Sequence, residues 1–250
     1  MKKVILRADD LGLSKGVNYG IKEAINSGLV KSVGFMVNME DIQHGYNLIK
    51  EYDLALGLHT NFCLGKPLSN PNLIPSLVNG EEFCSSREIR SRKEDTINFD
   101  EAVIEIEAQL LKFKEITGRY PDYFECHAIK SNNFFKALKY VADKYDLFYE
   151  NVLFDQEFEN NTGIKGIPLP NLNDQGIYDF YENINQYKDI FDASKITVII
   201  FHPGYMDQFL IDHSSFTFIR PYEVSVICSE TFKKWIKDND IQLIDFRDVQ

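Results

Sequence analysis

The chain has 250 residues, 44% hydrophobic and 26% charged, with a formal net charge of −11 at pH 7. That length and apolar content provide for a core of the size found in one α/β barrel, and they exclude a chain disordered throughout. The acidic balance argues against nucleic acid or an anionic membrane as a partner.

Residues 3–8 form an apolar run that reads as a strand and ends at Asp9 and Asp10. The run is too short for a signal-peptide core. Ser14 suits the N-cap of a helix carrying Val17, Ile21, Ala24 and Ile25, closed by Gly28. Residues 32–37 read as a second strand, 42–51 as a short helix, and 54–59 as a third apolar run ending at His59. The stretch 63–98 holds Pro67, Pro71, Pro75 and Gly80, then mixed charges, without a core pattern. A connection this long suggests a lid or binding loop.

Residues 98–117 place Ala102, Ile106, Leu110, Phe113 and Ile116 at helical spacing, with Gly118 and Pro121 as stops. A strand at 123–126 leads into His127, followed by a helix at 134–144 and a strand at 147–150. From 151 to 173 no regular element emerges, and Pro168 and Pro170 interrupt the pattern. Residues 178–191 predict a helix, 196–201 a buried strand running into His202, 222–237 the last helix, and 242–246 the last strand.

Strands alternating with helices predict a parallel sheet covered on both faces. The expected fold is α/β: a distorted or incomplete (β/α) barrel of about seven mostly parallel strands with surrounding helices. An open doubly wound sheet is the alternative, because sequence does not show closure. With no repeat or linker, residues 1–250 read as a single catalytic domain with a long loop insertion at about 63–98. No stretch reaches the roughly 18 apolar residues a bilayer needs. Cys63, Cys84, Cys126 and Cys228 lie far apart, which suits reduced thiols and a cytoplasmic location.

Four apolar runs end in ionisable groups: Asp9 and Asp10, His59, His127, and His202. In parallel α/β folds the carboxyl ends of strands share one rim, where active sites form. Two imidazoles and a carboxylate are a common set for one catalytic divalent ion with positions left open. Zinc or magnesium leads the candidates, with manganese, iron, nickel or cobalt also compatible. Such an ion acidifies its water, and a carboxylate not bound to it must then take the proton. Asp9 and Asp10 can divide those roles. Adjacent strand residues point to opposite faces, so both reach one site only where the chain turns; Leu11 and Gly12 are the expected turn. His44 and His213 read as incidental. Gly12-Leu13-Ser14-Lys15-Gly16 lacks the spacing of a phosphate loop.

The segments from Arg7 to Asn18, Gly57 to Asn61 with Gly65 to Leu68, the strand into His127, and His202 to Tyr205 resemble the YdjC-like carbohydrate deacetylases, a family that includes chitooligosaccharide deacetylase. Arg220 followed by Glu223 is similar to the family's tail. The resemblance implies a distorted barrel that hydrolyses the N-acetyl group of a small amino sugar or chitooligosaccharide, with a phosphorylated sugar as one option. By position it makes Asp10, His59 and His127 metal ligands, Asp9 the general base, and His202 the acid that protonates the departing amine. Asn61, Tyr205, Arg220 and Lys130 are the substrate-binding candidates, and a homodimer is compatible with this reading. Family members commonly carry further histidines after the third ligand. Here Ala128, Ile129 and Lys130 stand instead. The alternatives are a metal-dependent hydrolase of a phosphoester or glycosidic sugar bond, and a catalytically silent sugar-binding relative.

Overall fold

The computed structural model describes residues 1–167, 172 and 178–249; Pro168 and Pro170 fall outside them. Its organising strand is β1 (Lys2–Leu11), which pairs in parallel with three others. On one edge lies β8 (Ile196–Phe201), matched from Lys3↔Ile196 to Ala8↔Phe201. The other edge is shared by β9 (Ile241–Ile244), against Lys2 to Ile5, and β2 (Ser32–Phe35), against Arg7 to Leu11. Beyond β2 come β3 (Ala55–Thr60) and β6 (Tyr123–Cys126); beyond β8 comes β7 (Ile164–Ile167). All seven strands of this sheet run parallel.

Both faces of the sheet are buried, which is why the strands read as continuous apolar runs rather than alternating ones. Ile5, Ala55, Tyr123, Ile164, Val198 and Ile244 pack together inside the curl, whereas Val4, Leu6, Ala8, Val33 and Phe201 pack outward in the larger cluster. The two edge strands are joined by the irregular segment 148–152. Phe124 N donates to Phe148 O and Glu150 N to Phe124 O, while Gly166 N donates to Val152 O. The expected strand at 147–150 is thus a short splice with one bridge, Phe124↔Tyr149. Extra hydrogen bonds on each side complete an incomplete barrel.

The outer helices follow the expected signals. The N-terminus of α1 (Lys15–Asn26) is capped by Ser14, whose hydroxyl accepts from Val17 N. α2 (Ile42–Ile49) comes next. α4 (Phe99–Thr117) begins at Asn98, whose side chain accepts from Asp100 N and Glu101 N, and ends at Gly118 with φ 78°. α5 (Asn132–Tyr145) packs beside it.

Four stretches differ from expectation. Residues 63–98 contain the hairpin β4 (Val78–Asn79) and β5 (Glu82–Phe83) and the short helix α3 (Ser86–Ser91). The unread region holds α6 (Gln156–Thr162) and β7. Residues 178–191 divide into α7 (Phe180–Gln186) and α8 (Lys188–Ala193). After α9 (Gln208–His213), which sequence did not suggest, the last helix is two: α10 (Ile219–Ile227) and α11 (Glu230–Asp238). Ser229 causes that break, because its hydroxyl caps α11 by accepting from Phe232 N. All four cysteines are free, and no helix among the described residues is long and apolar enough to cross a membrane.

Candidate active site

The neighbours Asp9 and Asp10 reach one site through a bulge inside β1. Pairing with β2 passes from Ala8↔Val33 to Leu11↔Phe35, so two residues of β1 oppose Gly34 alone. Asp10 sits at φ 76°, a left-handed conformation that Asp tolerates better than most residues. The turn expected at Leu11 and Gly12 follows directly: Leu13 N donates to Asp10 O at 3.0 Å and Gly12 takes φ 103°. Gly34 is required opposite them. A Cβ there would lie 2.9 Å from Asp9 Oδ1, and 3.2 Å from both Glu125 Oε1 and His59 Cβ.

Asp10, His59 and His127 converge on a common point. Asp10 Oδ1 lies 3.1 Å from His59 Nε2 and 3.1 Å from His127 Nδ1, and the two nitrogens are 2.8 Å apart. At metal–ligand bonds of about 2.1 Å, neighbouring donor atoms lie about 3.0–3.4 Å apart, so this triangle fits a divalent ion. Asp10 Oδ1 is also buried with no hydrogen-bond partner, as a ligand oxygen awaiting a cation would be. The other oxygen, Oδ2, accepts from Arg220 Nη2 at 2.7 Å.

The electrostatics match the convergence. Burial favours neutral forms, yet Arg220 and His127 hold the Asp10 carboxyl well below the usual carboxylate range. Burial likewise opposes charge on the imidazoles. Glu125 and Asp9 nonetheless raise His59 well above its ordinary value, and Asp10 raises His127 to about 9.

A second group, Asp9, His59 and Glu125, also brings donor atoms together. Here a cation is already present: Arg7 Nη2 lies 2.7 Å from Asp9 Oδ2 and 3.7 Å from Glu125 Oε2. Arg7 also binds Glu150, and His59 Nδ1 contacts Glu125 Oε1. Sequence reasoning passed over Arg7, Glu125 and Glu150. Their signal was available, since each is a charged residue within or beside a strand otherwise apolar enough to be buried.

Beside these three residues opens a cavity of about 330 Å³. Asp10, His127, His202 and Arg220 border it below, Ser86 and Arg90 of α3 on one side, and His213 to Phe216 on another. Among the described residues that line it, Asp10 is the only carboxylate. The His202 ring lies against Phe216, at 5.2 Å between centroids, and its Nδ1 is buried without a partner. Burial pushes His202 down to about 4. The ring is therefore neutral near pH 7 and must take up a proton before it can donate one. Its backbone N–H donates to Glu223, which burial pushes up to about 8.

The substrate-binding candidates fare unevenly. Arg220 borders the cavity, but Nη2 is committed to Asp10 and Nε to Phe216 O. Asn61 is fully buried: its amide donates to Asn38 Oδ1 and Leu64 O and its oxygen accepts from Cys63 N, so it shapes the loop and does not reach a ligand. Tyr205 lies outside the cavity lining, its hydroxyl on Glu23. Lys130 is also outside. Ala128 takes φ 55°, Ile129 turns into the core, and the exposed Lys130 ammonium sits 6.0 Å over the Phe154 ring. His213, read as incidental, lines the cavity instead. His44 stays away from it, with its Nδ1 3.1 Å from Asn18 Nδ2.

A family model described as YdjC-like protein matches residues 3–238. Carbohydrate deacetylase 2 of Listeria innocua is 28% identical over 264 residues, covering 99% of this chain and 98% of the relative. A carbohydrate deacetylase of Thermoanaerobacter pseudethanolicus is 30% identical over 255 residues, covering 98% of each. Among solved structures, a candidate cellobiose-phosphate cleavage protein of Enterococcus faecalis superposes with a TM-score of 0.82 at 24% identity, over 99% of this chain and 98% of that one. That likeness is one of fold. With the family match running from the start of β1 to the end of α11, the chain belongs to the YdjC-like protein family.

Proposed function

We propose that this chain is a divalent-metal-dependent deacetylase that removes the N-acetyl group from a small amino sugar or chitooligosaccharide. The observation that carries the reading is the convergence of Asp10 Oδ1, His59 Nε2 and His127 Nδ1 beneath the cavity. Relatives named carbohydrate deacetylases, aligned along nearly the whole chain, support the choice of bond. Asp10, His59 and His127 would hold the ion, zinc or magnesium first, with manganese, nickel or cobalt as substitutes. When bound, such an ion polarises the amide carbonyl and makes water more acidic.

The chain's own groups carry the protons. Asp9, fixed through Oδ2 by Arg7, keeps Oδ1 without a hydrogen-bond partner and is the proposed base that accepts the proton of the attacking water. The proton taken from the water is the one the amine nitrogen needs as the C–N bond breaks, and His202, neutral and with Nδ1 without a partner, is the proposed group that receives it and passes it on. Products are acetate and the free amino sugar. Arg220 keeps Asp10 ionised and oriented.

A glycosidase would need two opposed carboxylates at the substrate. Among the described residues the two carboxylates at hand are chain neighbours and not opposed: Asp10, held by Arg220, and Asp9, held by Arg7. Incubation of the metal-loaded protein with N-acetylated, phosphorylated and glycosidically linked sugars, with products separated by mass, tests the assignment. Loss of 42 Da (about one acetyl replaced by hydrogen) from the acetylated sugars alone is expected. Cleavage of a phosphoester or glycosidic bond with the acetyl group retained would overturn it.

A further inference from the structure

We infer that Glu125 is the positioning residue for His59, presenting Nε2 of that ring to the cation, with Arg7 and Glu150 as its supports. The inference deepens the metal-dependent reading above and rests on it.

His59 has two ring nitrogens with different neighbours. Nε2 lies 3.1 Å from Asp10 Oδ1 and 2.8 Å from His127 Nδ1, whereas Nδ1 meets Glu125 Oε1. An ionised carboxylate only accepts hydrogen bonds, so Nδ1 carries the proton and the lone pair of the neutral ring resides on Nε2. One contact thereby sets both the tautomer and the rotation of the ligand.

The contact is built on a rigid frame. His59 and Glu125 are direct register partners of β3 and β6, so the strand pair itself brings the two side chains together. Glu125 Oε2 lies 3.7 Å from Arg7 Nη2, and Nη1 of the same guanidinium grips Glu150 Oε1. Glu150 Oε2 in turn accepts from Val152 N at 3.0 Å, within the splice that joins the edges of the sheet. His59, Glu125, Arg7 and Glu150 are each 3% exposed or less, so water does not substitute for a missing partner. Gly34, on β2 beside β3, leaves space next to the contact: a Cβ there would lie 3.2 Å from both Glu125 Oε1 and His59 Cβ.

Stability alone does not account for this arrangement. Desolvation offsets most of what a buried ion pair gains, and apolar residues of similar volume often serve as well. What charge supplies here is the orientation of one ligand ring.

The test is a zinc titration of chelator-stripped protein against a competing chromogenic chelator, with thermal melting recorded on the same samples. Glu125→Ala should bind zinc about 10- to 100-fold more weakly than the wild type. Glu125→Gln keeps an oxygen acceptor for Nδ1 and should retain most of the affinity. If the alanine variant does not fold, Glu125→Leu removes the acceptor at nearly constant volume and takes its place. Folded Ala or Leu variants with wild-type affinity would overturn the positioning role. A folded wild type that binds neither zinc nor manganese would overturn the metal reading itself, and this inference with it.

Discussion

Asp9 and Asp10 are chemically identical neighbours held in different surroundings. One is bound by Arg7 inside the barrel; the other faces two imidazoles beneath the cavity. Asp9→Asn should therefore keep zinc affinity within a few-fold while lowering kcat by about 10²-fold or more, as loss of a general base does. Asp10→Ala and His59→Ala should lose ion affinity first, and activity with it. Acetate release and zinc titration on the same samples separate the two patterns. Gly34→Ala forces a methyl against Asp9 Oδ1 and Glu125 Oε1. Overpacking of that kind destabilises by about 1–3 kcal/mol, visible as a lower melting temperature and a weaker metal site.

Much of the candidate ligand set was legible in sequence because each member stands at or near the end of an apolar run: Asp10 near the end of β1, His127 after β6, and His59 near the end of β3. The supporting layer was harder to read, since Arg7 and Glu125 lie inside strands and their inward direction depends on register. The position of Lys130 outside the cavity lining was not legible, because a left-handed Ala128 is invisible in composition.

The long insertion is held at the scale of elements. Glu105 of α4 is fully buried and accepts from Leu68 N, Ser69 N, Ser69 Oγ and Gln109 Nε2. It staples residues 63–98 to the barrel, and the same insertion carries Ser86 and Arg90 to the cavity wall. Glu105→Ala would strand several buried donors and should lower unfolding free energy by about 3 kcal/mol or more in denaturant titration. Because the wall shifts while the ligands stay, KM should rise more than kcat falls. Periodicity did not reveal this order, since the apolar residues that anchor the loop, Ile74, Leu77, Phe83 and Ile97, are spaced irregularly and the polar bonds come from a distant helix. The helix pair at the C-terminus was missed for a related reason: Ser229, one hydroxyl, divides a pattern that reads as continuous.

At the scale of the molecule, β1 is flanked by three strands, and both rim aspartates lie in it. The parallel, curled arrangement follows from the alternation of runs and helices. Its closure does not, because the splice at 148–152 uses a few backbone bonds that leave little trace in sequence. Under the proposed function, the same architecture would couple ion uptake to pH. His127 is raised to about 9 and His59 also lies above its ordinary value, so both hold protons in the ion-free protein that a cation must displace. Apparent zinc affinity should therefore rise with pH from 6 toward 9, about tenfold per pH unit for each proton released. Titrations at four pH values across that window check the slope.

The central claim is that Asp10, His59 and His127 hold an ion needed to hydrolyse an acetamide on a sugar. Acetate release from N-acetylated mono- and disaccharides, measured on protein stripped by a chelator and then reconstituted with zinc, magnesium, manganese, nickel or cobalt, tests it most directly. The account predicts no acetate from the stripped protein, recovery with at least one of these ions, and no recovery in His59→Ala. Equal acetate release with and without the ion, or full recovery in His59→Ala, would contradict it.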